Sequence, residues 1–178
     1  MNVIGIDPGL SGAIALVTDG PNGPTLVEVF DAPVYEAKVG KKNRRRIDCP
    51  RLLYRMAELV AHIEKPNAYV EESSIRPGEG AVGAHSCGKN AGYVEMAALT
   101  VSRMVSLIRP QKWKAVVGLP LKADKDQSRY EARRRFPEMA DRFTRKMDDG
   151  RAEAALIALA GLLIQQGHAL AGVEDLPV

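Results

Sequence analysis

Residues 1–31, MNVIGIDPGLSGAIALVTDGPNGPTLVEVFD, contain three short apolar runs separated by turn residues. The first run ends at Pro8-Gly9, and the other two, residues 13–18 and 25–30, flank the turn-rich segment 19–24. Apolar runs of this length between clusters of Gly, Pro, Asn and Asp are typical of β-strands. Because short connections let neighbouring strands pair as hairpins, we expect an antiparallel meander of three strands.

Downstream of this meander, helical and strand-like segments alternate. Residues 48–64 carry apolar side chains at helical spacing, and residues 67–72 and 104–108 resemble strands. Further helices are predicted at residues 93–101 (the end of a long helix), 111–117, 123–135 and 148–165. Strands separated by helices pair in parallel through crossover connections. The sequence therefore predicts an α/β fold with a five-stranded mixed sheet, three antiparallel strands and then two parallel ones, and helices on both faces.

The composition excludes several classes of protein. A chain of 178 residues, 46% hydrophobic and 26% charged, suits a single domain over residues 1–178 and is too apolar for a disordered protein. No apolar run approaches the roughly 18 to 20 residues of a membrane span. Residues 1–7 lack a basic region followed by an apolar run, so we expect no signal peptide. Cys49 and Cys87 are isolated, which disfavours a disulfide framework or a zinc cluster. We expect a cytoplasmic protein that does not contact membranes.

The net charge of +3 conceals two basic segments. Residues 38–46 hold six cations and no acid, and residues 109–135 carry a net +6, which leaves −9 for the rest of the chain. Charge separated in this way favours a polyanionic partner, although most charge runs are solvated surface. Residues 36–48 are predicted to form a basic, mobile loop that contacts DNA. Its candidate contact residues are Lys41, Lys42, Arg44, Arg45 and Arg46.

Acidic residues end two of the predicted strands. Asp7 ends the first strand, at the position where ligand crevices form in open α/β sheets. Glu71 and Glu72 end the fourth strand, and because side chains alternate along a strand, only one of them can share a face with Asp7. A turn-capping role for Asp7 remains the alternative.

The last predicted helix carries two more acids. Asp149 and Glu153 are four residues apart and therefore share one face, and residues 154–164 contain no charge. Capping explains acids at the start of a helix, but it does not explain Glu153 at the edge of a buried, apolar helix. Four carboxylates are hard oxygen ligands, which select Mg²⁺ or Mn²⁺. Two such ions can drive phosphoryl displacement.

Four segments together resemble one known family. They are residues 4–9 with Gly12, residues 70–71, residues 109–114 and residues 149–154, which read IGIDPG, VE, RPQKWK and DGRAEA. In this order they resemble the RuvC-type Holliday-junction resolvases of the ribonuclease H-like superfamily, particularly the phage-type members.

The resemblance implies a ribonuclease H-like fold, a homodimer and Mg²⁺-dependent nicking of branched DNA, such as four-way and three-way junctions. It implies two Mg²⁺ ions per active site, with Mn²⁺ as a substitute, and Glu71 rather than Glu72 as a ligand. The implied catalytic metal ligands are Asp7, Glu71, Asp149 and Glu153. The implied phosphate-contacting lysines are Lys112, Lys114, Lys122 and Lys125. Ser74 stands where cellular relatives have an aromatic wedge, which predicts weak selectivity for four-way junctions.

Other functions remain open from the residues alone. Asp7-Pro8-Gly9 with Gly12 also resembles the first phosphate loop of actin-like nucleotide-binding proteins, although those proteins need two lobes of this fold. A ribonuclease acting on RNA–DNA hybrids would use the same carboxylates. A protein that binds branched DNA without cutting it is a further alternative. Trp113 is predicted to be a core residue, and the three histidines have no metal-ligand spacing.

Overall fold

The computed structural model describes residues 1–40, 42–74 and 78–167 and the backbone of one further strand. Its strands are β1 (Asn2–Asp7), β2 (Ala13–Gly20), β3 (Gly23–Asp31), β4 (Val34–Val39), β5 (Lys42–Ile47), β6 (Asn67–Glu71), β7 (Met104–Ile108) and β8 (Glu174–Leu176). Its α-helices are α1 (Cys49–Val60), α2 (Ala81–Val101), α3 (Pro110–Val116), α4 (Lys125–Arg135) and α5 (Asp149–Gln165). Two short 3₁₀ helices, Pro137–Phe143 and Lys146–Asp148, lead into α5.

The main sheet has the strand order β3-β2-β1-β6-β7-β8. β1, β2 and β3 pair antiparallel, and β6 and β7 continue the sheet in parallel with β1. The predicted mixed sheet of three antiparallel and two parallel strands is therefore confirmed. The structure adds a sixth strand, β8, antiparallel to β7. The sequence did not predict β8, because three residues reading EDL show no apolar alternation.

Helices cover both faces of the sheet, as predicted. On one face, α5 packs against β1 and β2, together with Trp113 and Phe136. On the other face, α1 and α2 bury side chains such as Leu52 and Val94. The contact between α5 and β1 is made by backbone, since a Cβ atom on Gly5 would lie 2.2 Å from the carbonyl oxygen of Ala154. Only glycine lets the helix approach the strand this closely.

The basic segment 36–48 is a correction to the sequence prediction. Most of it belongs to an antiparallel hairpin, β4 paired with β5, rather than to a loop. A φ of +61° at Gly40 allows the chain to reverse, and the hairpin is held at its base by the buried side chain of Ile47. The sequence pattern does not predict β5, because its arginines leave no alternation of apolar and polar residues. Lys41 lies outside the described residues.

Within the described residues, no helix is long and apolar enough to span a membrane.

Candidate active site

The four predicted metal ligands line a single cleft of about 660 Å³. Three further acids, Glu72, Glu79 and Asp124, also line it. Asp7 ends β1 and Glu71 ends β6, and the two strands are parallel neighbours in which Ile6 pairs with Val70. Asp149 and Glu153 come from the first two turns of α5. The cleft thus lies where the carboxyl ends of two parallel strands meet the N-terminus of a buried helix.

Gly150 brings α5 close to Asp7. A Cβ atom at this position would lie 2.3 Å from the carbonyl oxygen of Ser11 and 3.1 Å from Oδ2 of Asp7. A side chain would therefore push the helix away from the loop that follows β1. The glycine sets the distance between the acids of the helix and the acids of the sheet.

The carboxylates interact unfavourably with one another. Burial raises the pKa of Asp7 well above its usual value, and the charges of Glu153, Glu71 and Asp149 raise it further. Burial and the charge of Glu71 raise the pKa of Glu153 to about 6. Like charges held together in a cleft favour either protonation or a bound cation. At neutral pH the site is therefore suited to attract cations.

Two lysines already bring positive charge to the cleft. The ammonium group of Lys125 forms a short ion pair with Oδ2 of Asp149. That hydrogen bond raises the pKa of Lys125. Lys114 also lines the cleft, where its Nζ donates to the carbonyl oxygen of Ala123 at 3.3 Å. Burial raises the pKa of both Glu71 and Glu153, and the charge of Lys114 partly offsets that rise.

Trp113 has a role at the site that its sequence pattern did not predict. Its side chain is fully buried, as expected for a core residue, but its indole Nε1–H donates to Oε2 of Glu71 at 2.6 Å. Burial raises the pKa of Glu71, and the hydrogen bond from Trp113 partly offsets that rise. The position of α3 in the sequence could have suggested this contact, since the helix begins just after Ile108, the residue paired with Glu71 in the sheet.

Two other acids near the cleft, Glu72 and Asp148, bind arginines. Glu72 Oε2 accepts a hydrogen bond from Arg109 Nε at 3.0 Å, so its carboxylate is engaged at the rim. Asp148 is 1% exposed and binds the Arg145 guanidinium at 2.7 Å. Burial opposes the charged form of Asp148, but the hydrogen bonds from Arg145 outweigh it and lower the pKa of Asp148. These two acids are paired structurally.

Arg151 anchors the start of α5 to the sheet. Its guanidinium donates two hydrogen bonds to the carboxylate of Asp31 at the end of β3, both at 2.6 Å, and lies 3.7 Å from Asp148. Bidentate pairs of this kind fix geometry as well as charge. Arg151 is therefore engaged away from Glu153.

The predicted DNA-contacting residues fall into three groups. Lys114 and Lys125 line the carboxylate cleft, as described above. Lys42 and the three arginines at 44–46 are exposed on β5 and do not line the cleft. Lys112 is partly buried on α3, Lys122 is exposed before α4, and neither lines the cleft.

No protein-family model matches the chain, and no curated protein matches it. Solved structures do. Thermus thermophilus RuvC matches over 99% of this chain and 100% of its own, with a TM-score of 0.64 and 20% sequence identity. T. thermophilus RuvC in complex with Holliday junction substrate matches over 99% of both chains, with a TM-score of 0.70 and 20% identity. The chain has the RuvC fold. The expected ribonuclease H-like architecture is thereby confirmed.

In this RuvC fold, the donor set fits hard divalent cations, because Asp7, Glu71, Asp149 and Glu153 all offer carboxylate oxygens. Among the residues that the structure describes, no three acidic, histidine or cysteine side chains are arranged as a closed metal-binding group. The side chains are gathered around one cleft without forming a finished coordination shell.

Proposed function

We propose that the protein is a Mg²⁺-dependent, structure-selective endodeoxyribonuclease that nicks branched DNA such as four-way and three-way junctions. One observation carries the proposal: four carboxylates from β1, β6 and α5 line one cleft within a RuvC fold. The RuvC match that includes a Holliday junction supports branched DNA as the substrate class. We further propose that the chain acts as a cytoplasmic homodimer of single nuclease domains, so that two sites can address two strands.

Asp7, Glu71, Asp149 and Glu153 are the residues that would hold two Mg²⁺ ions, or Mn²⁺ in their place. The ions, when bound, would supply hydroxide and stabilise both oxygens of an in-line displacement. Other residues of the site hold these metal ligands in position. Trp113 holds one oxygen of Glu71, and Arg151 fixes the helix that carries Glu153.

Lys114 and Lys125 have a second role in this proposal. Both bring positive charge into a cleft that is otherwise acidic. A DNA phosphate is repelled by the carboxylates, and nearby ammonium groups reduce that electrostatic repulsion. We propose that these two lysines contact the backbone beside the scissile phosphate.

The test compares labelled four-way, three-way, duplex and RNA–DNA hybrid substrates in Mg²⁺ and in EDTA. We expect nicking of the branched DNA in Mg²⁺ and none in EDTA. Asp7→Asn is the inactive variant, and Glu64→Gln, which changes an exposed carboxyl between α1 and β6, is the matched control. Preferential cutting of the hybrid would instead assign a ribonuclease. Thermal stabilisation by ATP with no cutting would assign a nucleotide-binding protein.

A further inference from the structure

A second groove lies between the β4–β5 hairpin and the first half of α2. Its volume is about 570 Å³, and none of the four candidate metal ligands lines it. The residues that matter here are Tyr35, Arg44, Arg46, Lys89 and Tyr93.

The groove is strongly cationic. Three arginines of β5 and Lys89 of α2 line it, and no acidic side chain among the described residues does so. Arg44 and Arg46 are exposed and available to a ligand, whereas the guanidinium of Arg45 is bonded to the backbone of Leu10. A concave surface lined by basic side chains and no acidic ones favours an anionic ligand.

Two tyrosines face this charge from opposite walls. Tyr35 belongs to the hairpin and is 46% exposed, and Tyr93 belongs to α2 and is 37% exposed. The Nζ atom of Lys89 lies 5.5 Å from the centroid of the Tyr93 ring. Exposed aromatic rings beside cations are the surfaces on which unpaired nucleic-acid bases stack, while the cations hold the backbone. Bases within a duplex are paired and stacked on each other, so they cannot reach such rings.

The groove adjoins the carboxylate cleft. Arg45 of the hairpin donates to the carbonyl oxygen of Leu10 at 2.5 Å, and Leu10 lies in the loop whose Pro8 and Gly9 line the cleft. Helix α2 borders both spaces, since Ser86 lines the groove and Cys87 lines the cleft. A strand held in the groove would therefore lie beside the site of cleavage.

We propose that this groove binds a single-stranded DNA segment next to the branch point, by stacking bases on Tyr35 and Tyr93 and pairing phosphates with Arg44, Arg46 and Lys89. The inference rests on the proposed nuclease function and narrows its substrate class. The preferred substrates are branched DNAs with unpaired nucleotides at or beside the branch, rather than fully paired junctions.

The test measures binding by the full-length protein in EDTA, so that cleavage plays no part. The probes are a labelled oligothymidine of about 15 nucleotides, near the upper end of known single-strand site sizes, and a duplex of the same length. Tyr35→Leu and Tyr93→Leu remove an aromatic face and keep apolar bulk. Tyr54→Leu, at a 63% exposed tyrosine on α1 outside the groove, is the matched control. Thermal melting verifies that each variant is folded.

We expect each groove variant to bind oligothymidine about tenfold more weakly, within the range for loss of one base-stacking contact. Duplex affinity should stay within about twofold, because it depends on charge rather than on the rings. The control should match the parent on both probes. Unchanged oligothymidine binding by both groove variants, or equal losses on both probes, would overturn the proposal.

Three outcomes separate this proposal from its alternatives. If the groove variants change the oligomeric state in size-exclusion chromatography without a loss specific to oligothymidine, the groove is a contact between copies of the chain and the proposal is wrong. If oligothymidine binding depends on the tyrosines but no branched substrate is cut in Mg²⁺, the groove stands and the nuclease proposal fails. If the parent cuts branched DNA but neither tyrosine affects single-strand binding, the nuclease proposal stands and the groove proposal fails.

Discussion

Replacing Glu153 with glutamine tests the carboxylate cleft most directly, because the change keeps the shape of the side chain and removes its charge. In the folded protein without metal, burial and the charge of Glu71 raise the pKa of Glu153 from 4.5 to about 6. Each pKa unit corresponds to about 1.4 kcal/mol, so the ionised group destabilises the fold by up to about 2 kcal/mol. Part of the side chain contacts water, which reduces the expected effect to about 1 to 2 kcal/mol.

The direction of the pH dependence follows from the same shift. Because the folded protein binds the proton more tightly than the unfolded chain, the parent loses stability as pH rises from about 4.5 through 6. Glu153→Gln removes this loss, so without metal the variant should melt about 2 to 6 °C above the parent at pH 7. The difference should vanish near pH 4.5, where the glutamate is protonated. Melting curves in EDTA between pH 4.5 and 8 measure it.

The same variant should be a poor enzyme. Loss of one charged group from a preorganised site lowers cleavage by roughly a hundredfold or more, whereas junction affinity in EDTA should be equal or higher because one repelling charge is gone. Glu64→Gln should leave melting and cleavage unchanged, since that carboxyl is exposed. A Glu153→Gln variant that melts earlier than the parent and still cleaves at the parent rate would refute the reasoning.

Three other predictions concern neighbouring features. Trp113→Phe removes the N–H donor to Glu71, so the Mg²⁺ concentration needed for half-maximal cleavage should rise several-fold and the fold should lose about 1 kcal/mol of stability. A titration of the cleavage rate with Mg²⁺ that matches the parent would contradict this. Neutralising the arginines at 44–46 should lower the slope of log DNA affinity against log salt concentration by about 2 to 3 units. An unchanged slope would show that the hairpin is solvated surface that does not contact DNA. With Ser74 in place of an aromatic wedge, the cleavage rates of three-way and four-way junctions, measured in parallel time courses, should agree within roughly tenfold, or about 1.4 kcal/mol. A thousandfold preference for four-way junctions would exclude this.

The parts of the fold that local patterns control were predictable. β1 to β3 are short apolar runs between glycines, prolines and asparagine, and both turns lie where these residues stand. The helix α5 has an uncharged stretch long enough to require burial, and it is buried. Its acids at 149 and 153 were visible because charge at the edge of such a helix needs an explanation.

The missed features depend on contacts between distant residues. The β4–β5 hairpin has a charged second strand, and its stability comes from the pairing ladder, from buried Ile47 and from the bond between Arg45 and Leu10. Trp113 is 42 residues from Glu71, so only the parallel register of the sheet brings them together. A single sequence shows where the strands end, but it does not show which side chain of the next helix will reach back to them.

The distance along the chain between Asp31 and Arg151 has a consequence for the timing of folding. These two residues are 120 positions apart, and their bond fixes the helix that brings Asp149 and Glu153 to the cleft. Contacts over such separations slow folding, because closing the long intervening loop costs entropy before the contact is made. During synthesis, the residues of β1 to β7 emerge before α5, so a partly made chain holds Asp7 and Glu71 but lacks the helix that carries the other two acids and covers one face of the sheet. The carboxylate cleft is therefore assembled only after α5 has been made and has packed against the sheet.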